Sequence, residues 1–120
     1  MDRGLKMPAM RQATRHGNTV LCSGHYAVDA PARPITEQTI STLRFLESTL
    51  VSMGTGKNHL LQAVAYLSDI QNDYEDFVRI WNDWIAYAHS PALSCVQAGL
   101  VTADYRIVIA AHAAVPPRGA

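Results

Sequence analysis

The apolar residues of this chain change their spacing as the sequence advances, and that change restricts the fold more than any single motif does. After the turn signal Gly17-Asn18, the run Thr19-Val20-Leu21-Cys22-Ser23 reads as a short buried strand stopped by Gly24. Asp29 to Pro34 holds two prolines and reads as loop. From Thr36 to Met53, Ile40, Leu43, Leu46, Leu50 and Met53 recur at three- and four-residue steps, and Phe45 and Val51 broaden this helical stripe. Gly54 suits the left-handed turn that ends such a helix. Leu60 to Leu67 suits a buried strand better than a short helix, although Leu and Ala also form helices. Asn72-Asp73-Tyr74-Glu75 has the form of a capping box, and Phe77, Val78, Trp81, Trp84 and Ile85 supply a second stripe that ends near Pro91. Leu93–Ala98 and Tyr105–Val115 read as two further strands, joined through Gly99 to Asp104. The order strand, helix, strand, helix, strand, strand predicts an α+β fold with two helices on one face of a mixed sheet. Any parallel pair joined through a helix should cross over right-handed.

Composition narrows the function. The chain has 120 residues, 48% of them apolar, which fits one domain with a real core. Residues 1–16 are mixed and read as an edge strand or a loose arm. Ten basic residues balance ten acidic ones, so no cationic surplus favours nucleic acid. No apolar run is long enough to span a membrane, and the first residues do not form a secretion signal. Cys22 and Cys95 belong to no CxxC pair, and the plain expectation is a cytoplasmic protein with free thiols. His16, His25, His59, His89 and His112 show no metal-ligand spacing, so neither metal nor cofactor is expected. Gly54-Thr55-Gly56-Lys57-Asn58 lacks the full phosphate-loop pattern and reads as a helix-to-strand turn.

Several segments, taken in order, carry a family resemblance. They are Gly17-Asn18 with Val20 to Gly24; Glu37-Gln38-Thr39 with Leu43 and Glu47; Ala63 to Asp69; Phe77 to Trp84; and Pro91-Ala92 with Ser94-Cys95-Val96 and Ile107-Val108-Ile109. Together, over residues 17–115, they resemble the RidA (YjgF/YER057c) family of imine and enamine deaminases. The resemblance implies a chorismate-mutase-like fold assembled as a homotrimer, with ligand sites in clefts between subunits. A small domain gains from such assembly, because its own core is limited.

The resemblance also implies a cleft lined at the positions of Leu93, Cys95 and Val108, where relatives carry arginine, cysteine and glutamate. The arginine grips a substrate carboxylate through two parallel hydrogen bonds, and the glutamate positions water. Here both charges are replaced by aliphatic groups. Val78 stands at the second-helix asparagine of many relatives, and the tyrosine-bearing Gly-Pro-Tyr stretch is not recognisable before His16. Losing a bidentate contact to a buried carboxylate costs about 2 to 5 kcal/mol. The expected ligand is therefore a small imine, enamine or related carbonyl compound, less anionic or more apolar than a 2-imino acid.

The candidate catalytic groups are His25, Cys95, Ser23 and His112, and the candidate ligand-binding positions are Gly24, Leu93, Gln97, Arg106, Val108 and Val78. Each also has a plainer role. His25 is a general base or a surface histidine after a strand. Ser23 and His25 share a face if the strand stays regular through Gly24. His112 shares a face with Val108 and is a catalytic group or a packed histidine. Cys95 has no local base to activate its thiol and suits a small buried position. Arg106 reaches an anionic ligand or is a solvated strand-end charge. A non-catalytic member that binds small molecules or stabilises proteins is the alternative.

Overall fold

The computed structural model describes residues 2–3, 6–7, 10–85 and 90–117; His89 lies outside them. Four short strands open the chain: β1 (Asp2–Arg3), β2 (Lys6–Met7), β3 (Met10–Arg11) and β4 (Ala13–His16). Then come β5 (Thr19–Tyr26), α1 (Ile35–Ser52), one 3₁₀ turn (Lys57–His59), β6 (Leu60–Leu67), α2 (Ile70–Ile85), β7 (Ala92–Gln97) and β8 (Ile107–Ala114). Six strands form a mixed sheet in the order β1-β4-β5-β8-β6-β7, while β2 and β3 pair separately. Only β6 and β7 run parallel in that sheet, and α2 connects them. The expected α+β architecture holds. β7 and β8 are adjacent in sequence but not in space, because β6 lies between them.

The core occupies one face of the sheet. Val20, Cys22, Ala63, Ala65, Leu67, Ile107, Ile109, Ala111 and Ala113 are buried there against Leu43, Leu46 and Leu50 of α1 and Phe77, Trp81 and Ile85 of α2. The alternation of buried and open positions along β8 is the two-residue period of a strand with one covered face.

Helix α1 differs from its expected stripe. The buried positions are Ile35, Gln38, Thr39, Ser41, Thr42, Leu43, Leu46, Thr49 and Leu50, with Ile40 and Val51 exposed. The buried face is thus partly polar, and apolar residues alone place its edge wrongly. The helix ends as expected. Gly54 takes φ of 85°, its N–H meets the Val51 carbonyl, and Thr55 N–H meets that of Leu50, the two bonds of a Schellman ending.

Helix α2 starts two residues before the predicted capping box. Gln97 of β7 accepts the Ile70 N–H through its side-chain oxygen at 3.1 Å, and Asn72 donates to the Asp69 carboxylate at 2.8 Å. The cap therefore comes from a neighbouring strand, which local sequence cannot display. Trp84 donates its indole N–H to Glu47 across the helix pair at 3.0 Å. Among the described residues no helix is long and apolar enough to cross a membrane.

Phe77 is fully buried beneath Trp81, with ring centroids 6.1 Å apart. Replacing it with Ala leaves a cavity under both helices. Urea denaturation of Phe77→Ala should show a loss of about 3 to 5 kcal/mol, whereas Val51→Ala on the exposed side of α1 should stay within about 0.5 kcal/mol.

Candidate functional site

A bulge in β5 decides which candidate residues meet. The pairing with β8 shifts register between Cys22 and His25. One extra residue turns the strand, so Cys22 and His25 both face the core while Ser23 and Gly24 lie exposed between them. The shared face expected for Ser23 and His25 is thus corrected: it required a regular strand through Gly24.

His25 is fully buried. Its Nδ1 lies 2.7 Å from the Ser23 carbonyl and its Nε2 lies 2.8 Å from Thr49 Oγ1. A carbonyl only accepts, so Nδ1 carries the proton and Nε2 accepts from the threonine hydroxyl. The ring also packs on Phe45 at 4.4 Å between centroids. Burial pushes its pKa below the usual histidine value, against a smaller opposing effect of the Ser23 bond. His25 is a neutral core residue, neither a surface histidine nor a base open to a ligand.

Leu93 and Cys95 do not share a face with Val108. The pairing rows place Leu93 beside Ala63 and Ala111, and Cys95 beside Ala65 and Ile109, all on the helix side. Leu93 and Cys95 pack against the core there. Burial raises the Cys95 thiol pKa, which leaves it a poor nucleophile. Val78, also packed on the core, belongs to α2 on that same side.

Val108 lies on the open face. It heads a row that runs Tyr26, Val108, Tyr66, Val96 across β5, β8, β6 and β7. His112 is on the same face, exposed, between Leu21 and Gln62. Four residues of strand separate it from Val108, roughly 13 Å, so the two do not converge. Ser23 donates its hydroxyl to the Gln12 carbonyl at 3.1 Å. Gln97 is committed to the start of α2. Arg106 donates to both carboxylate oxygens of buried Asp73, at 2.8 and 3.1 Å, and lies 3.7 Å from Asp69. These contacts raise its pKa, the Asp73 hydrogen bond most. Its charge is already neutralised within the fold.

The structure assembles a different set around Val108. Tyr26, Leu100, Val101, Tyr105 and Val108 line a cavity of about 270 Å³ at the end of the sheet. Tyr26 and Tyr105 meet edge to face, with centroids 4.8 Å apart. Among the described residues, no charged side chain lines this cavity. Gly24 is adjacent, and a Cβ on it would sit 2.7 Å from Val108 Cγ1. A larger groove of about 520 Å³ lies between α1 and α2, but Arg44, Glu47, Arg79 and Asp83 line it and it contains no expected site residue. Sequence reasoning missed Tyr26 and Tyr105. The available signal was Gly24 inside an extended run, which marks a bulge and a change of face as readily as a strand end.

Comparison with known proteins agrees with this fold. The sequence pattern of the family described as Endoribonuclease L-PSP matches residues 7–115. The RutC family protein YoaB of Escherichia coli K12 is 35% identical over 101 residues, covering 83% of this chain and 85% of that protein. NMB1025 of Neisseria meningitidis, a member of the YjgF protein family, superposes with a TM-score of 0.90 at 28% identity, covering 97% and 95% of the two chains. A protein of Pseudomonas aeruginosa superposes equally well, at 26% identity over 96% and 98%.

Two outcomes follow from the bulge. Gly24→Ala should lose about 1 to 3 kcal/mol of stability and disturb the cavity, and adding Val108→Ala in the same chain should recover most of that loss in urea titrations. His25 is held neutral with a lowered pKa, whereas the unfolded ring titrates near 6.5. Its contribution is therefore complete above about pH 6.5 and declines as pH falls toward the native value, by at most about 1.4 kcal/mol per pH unit. The urea midpoint should fall between pH 7.5 and 5, and His25→Gln should flatten that fall.

Proposed function

The chain belongs to the Endoribonuclease L-PSP family, the RidA/YjgF group, and we propose that within it this protein acts on a small, uncharged imine, enamine or related carbonyl compound. The cavity at the end of the sheet is the proposed ligand site. The observation that carries this reading is the cavity lining: two tyrosines, a leucine and two valines, with no charged side chain. An apolar pocket with a few polar handles suits a small neutral ligand. A 2-imino acid would have to leave its carboxylate unpaired there. The nearby guanidinium of Arg106 is occupied by Asp73.

The tyrosine hydroxyls are the polar handles of this proposal. A phenol donates a hydrogen bond to a carbonyl or imine lone pair and favours attack of water on its carbon. Standard 2-imino-acid deamination is not the proposed reaction. RNA is the weaker substrate despite the family's name, because ten cationic residues are balanced by ten anionic ones.

The proposal includes self-association as a homotrimer in the cytoplasm. Leu21 and Val96 are exposed on the open face of the sheet, where Val64, Tyr66, Val108 and Ala110 are only half-buried. Covering that face with further copies of the chain would bury it and turn the open side of the cavity into an intersubunit cleft.

A second reading, binding without turnover, rests on a specific observation. The two side chains best suited to acid-base or nucleophilic work, His25 and Cys95, face the helices and not the cavity. Assays of matched neutral imines and 2-imino acids separate the readings. Neutral imines should be hydrolysed with at least about tenfold higher kcat/KM, and Tyr26→Phe or Tyr105→Phe should lower that value by about tenfold, the worth of one hydrogen bond. Binding of neutral compounds without turnover would establish the second reading. Robust turnover of 2-aminoacrylate-type imines, indifferent to substitution of Leu93, would overturn both.

A further inference from the structure

We propose that Gln38 is a positioning residue that sets the mouth of the sheet-end cavity by holding Tyr105 against Tyr26. The inference rests on the reading of that cavity as the ligand site. Gln38 lies in the first turns of α1 with its side chain fully buried. Its Nε2 donates to the Asp104 carbonyl at 2.7 Å, and its Oε1 accepts the Arg106 N–H at 2.7 Å. One carboxamide thus binds the backbone on both sides of Tyr105.

Other contacts pin Asp104 and Arg106 as well. Ala32 N–H also meets the Asp104 carbonyl at 2.8 Å, and Ser68 N–H meets that of Arg106 at 3.1 Å. The Arg106 side chain is anchored on Asp73 and Asp69. Residues 104 and 106 are therefore fixed from α1, α2, the loop before α1 and the end of β6. Tyr105 between them is only half-buried and turns its ring to the cavity. By contrast, Val101 on the same wall is 96% exposed. Tyr105 is the anchored side of the mouth and Val101 the exposed one.

The neutral carboxamide meets both demands at position 38 at any ordinary pH. It offers a donor and an acceptor from one planar group. An ionised Glu offers acceptors alone and would face the Asp104 carbonyl with a negative charge. A protonated Glu regains one donor and one acceptor. Met fills the space and makes neither bond.

This chemistry gives a test that a merely space-filling role would not pass. In the full-length protein, NMR contacts between the Tyr26 and Tyr105 rings should be present in the wild type. They should be lost in Gln38→Glu at pH 8, return as that carboxyl is protonated at acid pH, and be absent at both pH values in Gln38→Met. Contacts that persist in both variants, or no recovery in Gln38→Glu at acid pH, would overturn the proposal. Hydrogen exchange of the wild type tests the same point without any substitution. The Arg106 amide should exchange at least about a hundredfold more slowly than those of Thr102 and Ala103, and equal rates would also overturn it. Neither readout needs a ligand. Benzaldehyde, a small neutral carbonyl compound, then tests the ligand site separately. It should bind wild type more than fivefold tighter than Gln38→Met. Ring contacts that behave as expected without benzaldehyde binding would remove the ligand-site reading and leave the positioning role standing.

Discussion

The rest of the structure depends on the packing of β8 between β5 and β6. This strand alternates Ile107, Ile109, Ala111 and Ala113 toward the helices with Val108, Ala110 and His112 toward the open side. Helix α1 lies along the whole strand: Gln38 accepts the Arg106 N–H at one end, and Thr55, just past the helix, donates to the Ala114 carbonyl at the other. Because β8 is central, Val108, Ile109, Ala111, His112 and Ala113 each have a partner in both adjoining strands. The row through Val108 therefore spans four strands and fixes where Tyr26 and Tyr66 stand. A change at Val108 is felt across the sheet.

Much of this architecture was legible in the sequence. Leu60–Leu67 was read as a strand with the ends it has, and Gly54 ends α1 as its conformational freedom suggests. These features follow from local chemistry. The order of strands was not legible, because β7 and β8 adjoin in sequence while β6 separates them in space. The start of α2 was misplaced because its cap is Gln97, from another strand. The polar half of the α1 face was missed because Gln38, Thr39, Thr42 and Thr49 are buried by tertiary contacts that no hydrophobic pattern records.

Of the expected cleft positions, Gly24 and Val108 lie together: a Cβ on Gly24 would sit 2.7 Å from Val108 Cγ1. The bulge, which simple alternation omits, carries His25 to the core, and the pairing of β7 with β6 puts Leu93 and Cys95, which the resemblance sets in one cleft with Val108, on the helix side. Arg106 and Gln97, candidate ligand contacts by sequence, are instead used by α2, one as a partner for its buried aspartate and the other as its cap. The polar groups left at the cavity are phenols, whose ring pair no spacing rule connects, since 79 positions separate Tyr26 from Tyr105.

β7 stands at the rim of the sheet, paired on one side only among the described residues. A rim position carries little of the cooperative load that binds β5, β8 and β6. Leu93 can consequently exchange one side chain for another over generations with small effect on whether the chain folds. Position 108 is the tighter of the two, because a Cβ on Gly24 would sit 2.7 Å from Val108 Cγ1 in the middle of the sheet.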